Sequence, residues 1–173
     1  MSKYYRKSWD EYFMQMAHVV SERATCPRRH VGAILVKNKK IMGTGYNGSP
    51  AGLPDCYEAG CEIEHYEENG EKKERCIRTI HAEVNLILFT DRIEREGGTV
   101  YVTDSPCYTC AKMLANSGIV EVVYDRPYTK DLAKVTELFK LANIKFRQFK
   151  TDKLRTEQIE DDNIGLVLPQ IEK

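Results

Sequence analysis

Thr99-Val100-Tyr101-Val102-Thr103, followed by Asp104-Ser105-Pro106-Cys107-Tyr108-Thr109-Cys110, is a short strand that runs through a proline turn into a helix. β-Branched and aromatic residues favour the pleated half of this unit. The helical half is expected over Cys107 to Ser117, with Gly118 ending it. The same alternation continues downstream. A strand is expected over Val120 to Tyr124, a helix over Leu132 to Ala142 and a last strand over Lys145 to Phe149.

Upstream, His81 to Thr90 carries Ala82, Leu86 and Phe89 on one helical stripe. Val31 to Val36 and Lys40 to Tyr46 read as two strands, with Asn38-Lys39 between them as a hairpin turn. Asn47-Gly48-Ser49-Pro50 ends the second strand. Ser8-Trp9-Asp10-Glu11 is a capping box. It opens a helix through Tyr12 to Ala24, with Phe13, Met16, Ala17 and Val20 at helical spacing. The order α-β-β-α-β-α-β-α-β predicts an α/β fold. It is a three-layer α/β/α arrangement around a mixed five-stranded sheet.

Ala51 to Arg78 does not fit this rhythm. It is polar, has no sustained period, and holds three of the six cysteines. A structureless loop of this length in a compact domain is unusual unless something functional orders it. Thr151 to Lys173 is a charged tail with one apolar patch, Ile164 to Leu168.

With 173 residues, 42% apolar and 30% charged, the chain has the composition of one globular domain. The formal net charge is zero, which gives no electrostatic support for a polynucleotide partner. Met1 to Arg6 has no signal-peptide core, and no apolar run approaches the ~20 residues of a membrane span. A cytoplasmic location without a membrane partner is expected. Six cysteines there are better read as metal ligands or free thiols than as disulfides.

Three short pieces fit one zinc site: His81-Ala82-Glu83, Pro106-Cys107, and Cys110. One imidazole and two thiolates give three protein bonds, and the fourth position stays open for water. Cys107 and Cys110 lie about one turn apart at a helix start, where unpaired N–H groups favour thiolates. Glu83 does not bind metal in this reading; it moves protons. Alone, the Cys-x-x-Cys could be a redox pair, and His-x-Glu could be two solvated side chains on the surface. A purely structural zinc would need a fourth protein ligand. The combined H-x-E…P-C-x-x-C order is the signature of zinc-dependent nucleobase deaminases.

A second cluster, Cys26, Cys56, Cys61, His65 and Cys76, suggests a structural zinc that orders the irregular segment. Cys26, Cys56 and Cys76 are the firmer ligands, and the fourth is Cys61 or His65. The competing reading is scattered free thiols.

The chain resembles deoxycytidylate (dCMP) deaminases of the zinc-dependent cytidine deaminase superfamily, in their bacterial and phage form. The resemblance runs from about Ser8 to Lys150. It is carried by Trp9-x-x-Tyr12-Phe13-Met14, Val31-Gly32-Ala33, Gly45-Tyr46-Asn47-Gly48, His81-Ala82-Glu83 and Pro106-Cys107-x-x-Cys110. It implies a cytidine-deaminase-like domain over residues 1–150, with residues 51–78 as a zinc-binding insert and 151–173 as a tail outside the resemblance. It also implies hydrolysis of dCMP to dUMP and ammonia, feeding thymidylate synthesis. A homohexamer is expected, activated by dCTP and inhibited by dTTP, with Mg²⁺ accompanying the nucleotide effector. Tyr46 and Gly48 are expected near the effector site.

For the substrate, Asn47 is the candidate for a hydrogen bond to the nucleoside, although Asn47-Gly48 could merely make a turn. The backbone near Ser105 is expected to accept from the 4-amino group. Arg28 and Arg78 are the candidates for the phosphate, and Tyr128 for stacking or bonding to the nucleotide. The rival functions are a deaminase of tRNA or single-stranded DNA, a free-nucleoside deaminase, and a non-catalytic zinc protein.

Overall fold

A computed structural model of the protein describes residues 6–68, 70–128 and 132–150. The chain opens with α1 (Trp9–Ser21), and Ser8 and Glu11 cap it reciprocally. β1 (Gly32–Lys37) and β2 (Lys40–Tyr46) follow as a hairpin. Its two turn residues, Asn38 and Lys39, have φ of 51° and 61°. Two consecutive left-handed residues match the right-handed twist of the flanking strands. After the insert come α3 (Ala82–Leu88), α4 (Arg92–Arg95), β5 (Thr99–Asp104), α5 (Tyr108–Ala115), β6 (Glu121–Arg126), α6 (Leu132–Leu141) and β7 (Lys145–Gln148).

The five-stranded sheet has the order β2-β1-β5-β6-β7. β1 is antiparallel to both β2 and β5, while β5, β6 and β7 are parallel. Side chains alternate between its two faces. Ile34, Val36, Tyr101 and Val123 pack against Phe13, Met14 and Ala17 of α1. Ala33, Leu35, Val100, Val102, Val122 and Tyr124 pack against α3, α5 and α6. The expected three-layer architecture is therefore the one observed, with one helix on one face and three on the other.

Two glycines set how closely the layers approach. A Cβ at Gly32 would stand 2.1 Å from the carbonyl oxygen of Ala17, and one at Gly45 would stand 2.3 Å from that of Ala82. Only a residue without a side chain lets α1 and α3 lie this close to the sheet.

The insert departs from expectation. It contains a helical turn, α2 (Cys56–Ala59), and a separate two-stranded ribbon of β3 (Ile63–Glu68) and β4 (Glu71–Cys76). Neither strand shows an alternating apolar pattern because the ribbon has no buried face. Glu64 faces Arg75 and Glu67 faces Lys72, so opposite charges across the strands take the place of a core. α4 also has no sequence-level expectation, although Asp91 and Glu94 cap it as a box. α3 ends at Leu88, which leaves Phe89 out in solvent rather than on the buried stripe. α5 closes at Asn116, with Gly118 two residues beyond in a left-handed conformation. The Ile164 to Leu168 patch and the rest of 151–173 lie outside the described residues.

Candidate metal centre and active-site cleft

The residues that open α3 and α5 meet at one point. His81 is the N-cap of α3, and Cys107 is the N-cap of α5, with Cys110 one turn further on. Backbone pairing fixes the chain before each of them. Gly48 and Ile80 exchange two hydrogen bonds of 3.1 and 2.8 Å just ahead of His81. The Ser105 N–H donates to the Arg126 carbonyl at 2.8 Å just ahead of Cys107.

Nδ1 of His81 stands 3.4 Å from Sγ of Cys110 and 3.7 Å from Sγ of Cys107. A tetrahedral zinc with ordinary bond lengths separates an imidazole nitrogen from a thiolate sulfur by about 3.6 Å. The donor set therefore fits zinc without rearrangement. Among the described residues no fourth histidine, cysteine or carboxylate joins the group.

The electrostatics of the three donors are mutually dependent. The Cys110 thiol donates to Cys107, and this together with His81 holds the Cys107 thiol down at about 4. Cys110, keeping that proton and buried, is pushed up. His81 is raised, chiefly by its bond to Cys107. Glu83 lies in the first turn of α3 with 4% of its surface exposed. Burial pushes its carboxyl up to about 7, against the opposing pull of His81.

His81, Glu83 and Cys107 line a cleft of about 520 Å³, together with Asn47, Ser105, Arg29 and Tyr128. The ribbon adds Tyr66 and Arg75 to its wall. A larger hollow of about 660 Å³ between α5 and α6 holds none of this chemistry.

The sequence-derived binding residues divide. Asn47 is buried in the cleft wall, with its Oδ1 accepting from Val31 N–H and its Nδ2 donating to the Arg29 carbonyl. It braces the 29–31 segment and keeps one N–H and one lone pair in reserve. The Ser105 hydroxyl accepts from the Tyr128 N–H at 2.9 Å, which ties those two residues together. Arg28 reaches the cleft but is paired with Glu74 of the ribbon at 2.8 Å. Arg78 turns away from the cleft, bonding the Gly60 carbonyl and Glu62, because the insert offers it nearer acceptors. Tyr46 and Gly48 do not line the cleft. Their backbones hold the site instead, Tyr46 by accepting from the Asn85 amide and Gly48 by bridging Ile80.

In the insert, the thiols of Cys56, Cys61 and Cys76 gather within 4.8 Å of one another. Cys56 and Cys76 are 3.8 Å apart, near the about 3.8 Å edge of a tetrahedral zinc–thiolate site. Burial pushes Cys56 up to about 12. At Cys76 burial is outweighed by backbone N–H bonds, which bring it below the usual thiol value. Cys26 lies outside the 4.8 Å group; it is buried and lines the cleft wall that Cys76 also lines. His65 is exposed, pairs across the ribbon with Glu74, and is likewise outside the group.

Two residues of the cleft region were not anticipated. Arg29 lines the cleft, and Asp104, buried at the end of β5, holds it. Their position beside Cys26-Pro27-Arg28 and Ser105-Pro106-Cys107 was the available signal.

Residues 7–126 match the family model described as the cytidine and deoxycytidylate deaminase zinc-binding region. The chain belongs to this family. Its relatives include the deoxycytidylate deaminase of Mycobacterium phage D29, 40% identical over 127 residues, which cover 70% of this chain and 97% of the phage protein. The human deoxycytidylate deaminase is 34% identical over 147 residues, covering 82% of this chain and 79% of its own length. Among solved structures, the dCMP deaminase of cyanophage S-TIM5, in complex with dCMP and dUMP, superposes with a TM-score of 0.63. It is 27% identical and covers 84% of this chain and 100% of its own. Family membership accounts for the zinc-type donor set at His81, Cys107 and Cys110. Among the described residues no helix is long and apolar enough to cross a membrane.

Proposed function

We propose that this protein hydrolyses dCMP to dUMP and ammonia. One observation carries the reading: His81 and Cys107, two members of a three-donor zinc set completed by Cys110, share a cleft with the buried carboxylate of Glu83. The similarity to deoxycytidylate deaminases names the pyrimidine nucleotide. A zinc ion held by these three side chains supplies Lewis acidity, which makes hydroxide available near neutral pH.

The chain's own groups do the rest. Glu83, held near neutrality by burial, accepts a proton from the attacking water and returns it to N3 of the pyrimidine. It then takes the proton of the new C4 hydroxyl and hands it to the departing amine, so that the C4–N bond breaks as the carbonyl forms and water and dCMP become dUMP and ammonia. The backbone at Ser105 accepts from the 4-amino group. Asn47, fixed through Val31 and Arg29, offers its remaining N–H to the nucleoside.

The insert holds a second, structural zinc in this reading, with Cys56, Cys61 and Cys76 as three of its protein ligands and Cys26, which shares a cleft wall with Cys76, as the fourth. The 3.8 Å spacing of the Cys56 and Cys76 sulfurs, with Cys61 within 4.8 Å, supports it. A homohexamer activated by dCTP, inhibited by dTTP and using Mg²⁺ with the effector completes the proposal. Tyr46 and Gly48, at the foot of β2 and outside the cleft lining, suit an effector region. The deaminase domain is residues 1–150.

The test is ammonia release from dCMP, CMP, dCTP, deoxycytidine, single-stranded DNA and tRNA, with and without dTTP. Preference for dCMP supports the proposal. A preference for tRNA or single-stranded DNA, or for the free nucleoside, would replace it with the corresponding rival.

A further inference from the structure

One carboxylate in this molecule serves two guanidinium groups. Asp104, with 2% of its side chain exposed, accepts from Nε of Arg29 at 2.7 Å and from Nε of Arg126 at 2.8 Å. The two arginines stand on different sides of it. Arg29 lines the cleft beside Glu83 and Cys107, and Arg126 does not.

Arg29 is fixed by two further contacts. Its guanidinium carbon sits 3.9 Å from the centre of the Tyr128 ring. Tyr128 is itself tied to the Ser105 hydroxyl. The Arg29 carbonyl accepts from the Asn47 amide. Only the Nε edge of Arg29 is used by Asp104. An arginine held by its Nε edge and its flat face has its terminal N–H groups available for a bidentate acceptor.

Charge separates this arginine from the other cleft arginines. Arg28 is neutralised by Glu74 and Arg75 by Glu64, each in a one-to-one pair. Asp104 is shared, so the Arg29–Asp104–Arg126 group keeps one net positive charge. Arg126 cancels the carboxylate from outside, and Arg29 brings an unspent charge to the cleft.

We propose that Arg29 is the anchor for the substrate's phosphomonoester, and that Asp104 and Arg126 are positioning residues that orient it and keep its charge free. This assignment rests on the reading of the cleft as a nucleotide deaminase site. It also moves the phosphate contact from Arg28 and Arg78 to a residue between the metal centre and Tyr128.

Steady-state kinetics with dCMP and deoxycytidine test it on wild type, Arg29→Met, Arg126→Met and the double variant Arg126→Met/Asp104→Asn. Hydrogen bonds to a charged group lead us to expect Arg29→Met to raise the KM for dCMP about ten- to a hundred-fold. The kcat/KM ratio of dCMP over deoxycytidine should fall in parallel, with a much smaller change in kcat. Arg126→Met should shift the ratio the same way, because Asp104 is then left to cancel Arg29. Adding Asp104→Asn should restore part of the ratio, an effect that simple loss of folding cannot produce.

Equal losses for both substrates in Arg29→Met, or wild-type selectivity in Arg126→Met, would overturn the assignment. Calorimetric binding of dUMP against deoxyuridine to wild type and Arg29→Met reads the anchor without turnover. If wild type fails to deaminate dCMP while Arg29→Met loses only dUMP binding, the deamination reading falls and the anchor stands.

Discussion

His81 and Cys110 come from different helices, yet Nδ1 of one and Sγ of the other are 3.4 Å apart. They are 29 positions apart in the chain. Nothing local holds them together. The contact exists because α3 and α5 pack on the same sheet face and start at the same edge. Replacing Cys110 with Ala removes one of three protein bonds to the metal. The expected result is loss of the catalytic zinc and of turnover, with the zinc proposed for the insert retained. Metal analysis should fall from two zincs per chain to one. Cys56→Ala should remove the other zinc instead. A Cys110→Ala protein that still carried two zincs and full activity would disprove the ligand set.

Acid sensitivity follows from an ion-pair group that joins α1 to the sheet edge. Arg147 grips both oxygens of Asp10 at 2.6 and 3.0 Å and bonds Glu121 at 2.8 Å. Arg147 holds the Asp10 carboxyl below its usual value, chiefly through these bonds. Glu121 is also lowered, Arg147 and Lys145 outweighing the cost of its burial. A carboxylate depressed in the folded state stabilises above its unfolded pKa, and that contribution fades as pH falls through the folded value. Both groups are partly open to solvent, so the effect is modest. Arg147→Met should lower the melting temperature near pH 7. The gap from wild type should shrink below about pH 4, where both carboxylates take up protons. A gap that stayed constant over that range would count against the pairing.

The glycine under α3 gives a steric test. Gly45→Ala places a methyl group 2.3 Å from the Ala82 carbonyl oxygen and 2.5 Å from the Leu86 nitrogen. Both are backbone atoms and cannot swing aside. Overpacking of this kind costs about 1–3 kcal/mol. Because α3 carries His81 and Glu83, turnover should fall together with stability. Gly52→Ala meets no atom within 4 Å and serves as the comparison, strained only by its φ of 83°. Equal melting temperatures for Gly45→Ala and wild type would show that α3 is not held this closely.

The sheet was legible because its strands are buried and bounded by turns. Ile34 and Leu35 in β1 and Val122 and Val123 in β6 are fully buried, as continuous apolar runs suggest. The grouping of His81, Cys107 and Cys110 was legible because each stands at a helix start with fixed spacing to its neighbours. The ribbon was not, since Glu64, Glu67, Lys72 and Arg75 stabilise it by charge and leave no apolar period. Cys26 could not be placed from sequence for a related reason: residue type suggests metal, but the chain after α1 sets this cysteine in the cleft wall with Cys76, outside the close group of three thiols. Arg29 was hidden by Arg28 beside it. Residue type could not say which of two adjacent arginines is paired on the ribbon and which on Asp104.

The most direct measurement is ammonia release from dCMP by Glu83→Gln, with its zinc content determined on the same sample. The amide keeps the shape of the buried side chain but cannot take up the proton. The account expects wild-type zinc and a rate lower by about a hundred- to ten-thousand-fold. Turnover close to wild type, with the metal in place, would show that this carboxylate does not carry the proton and would contradict the account.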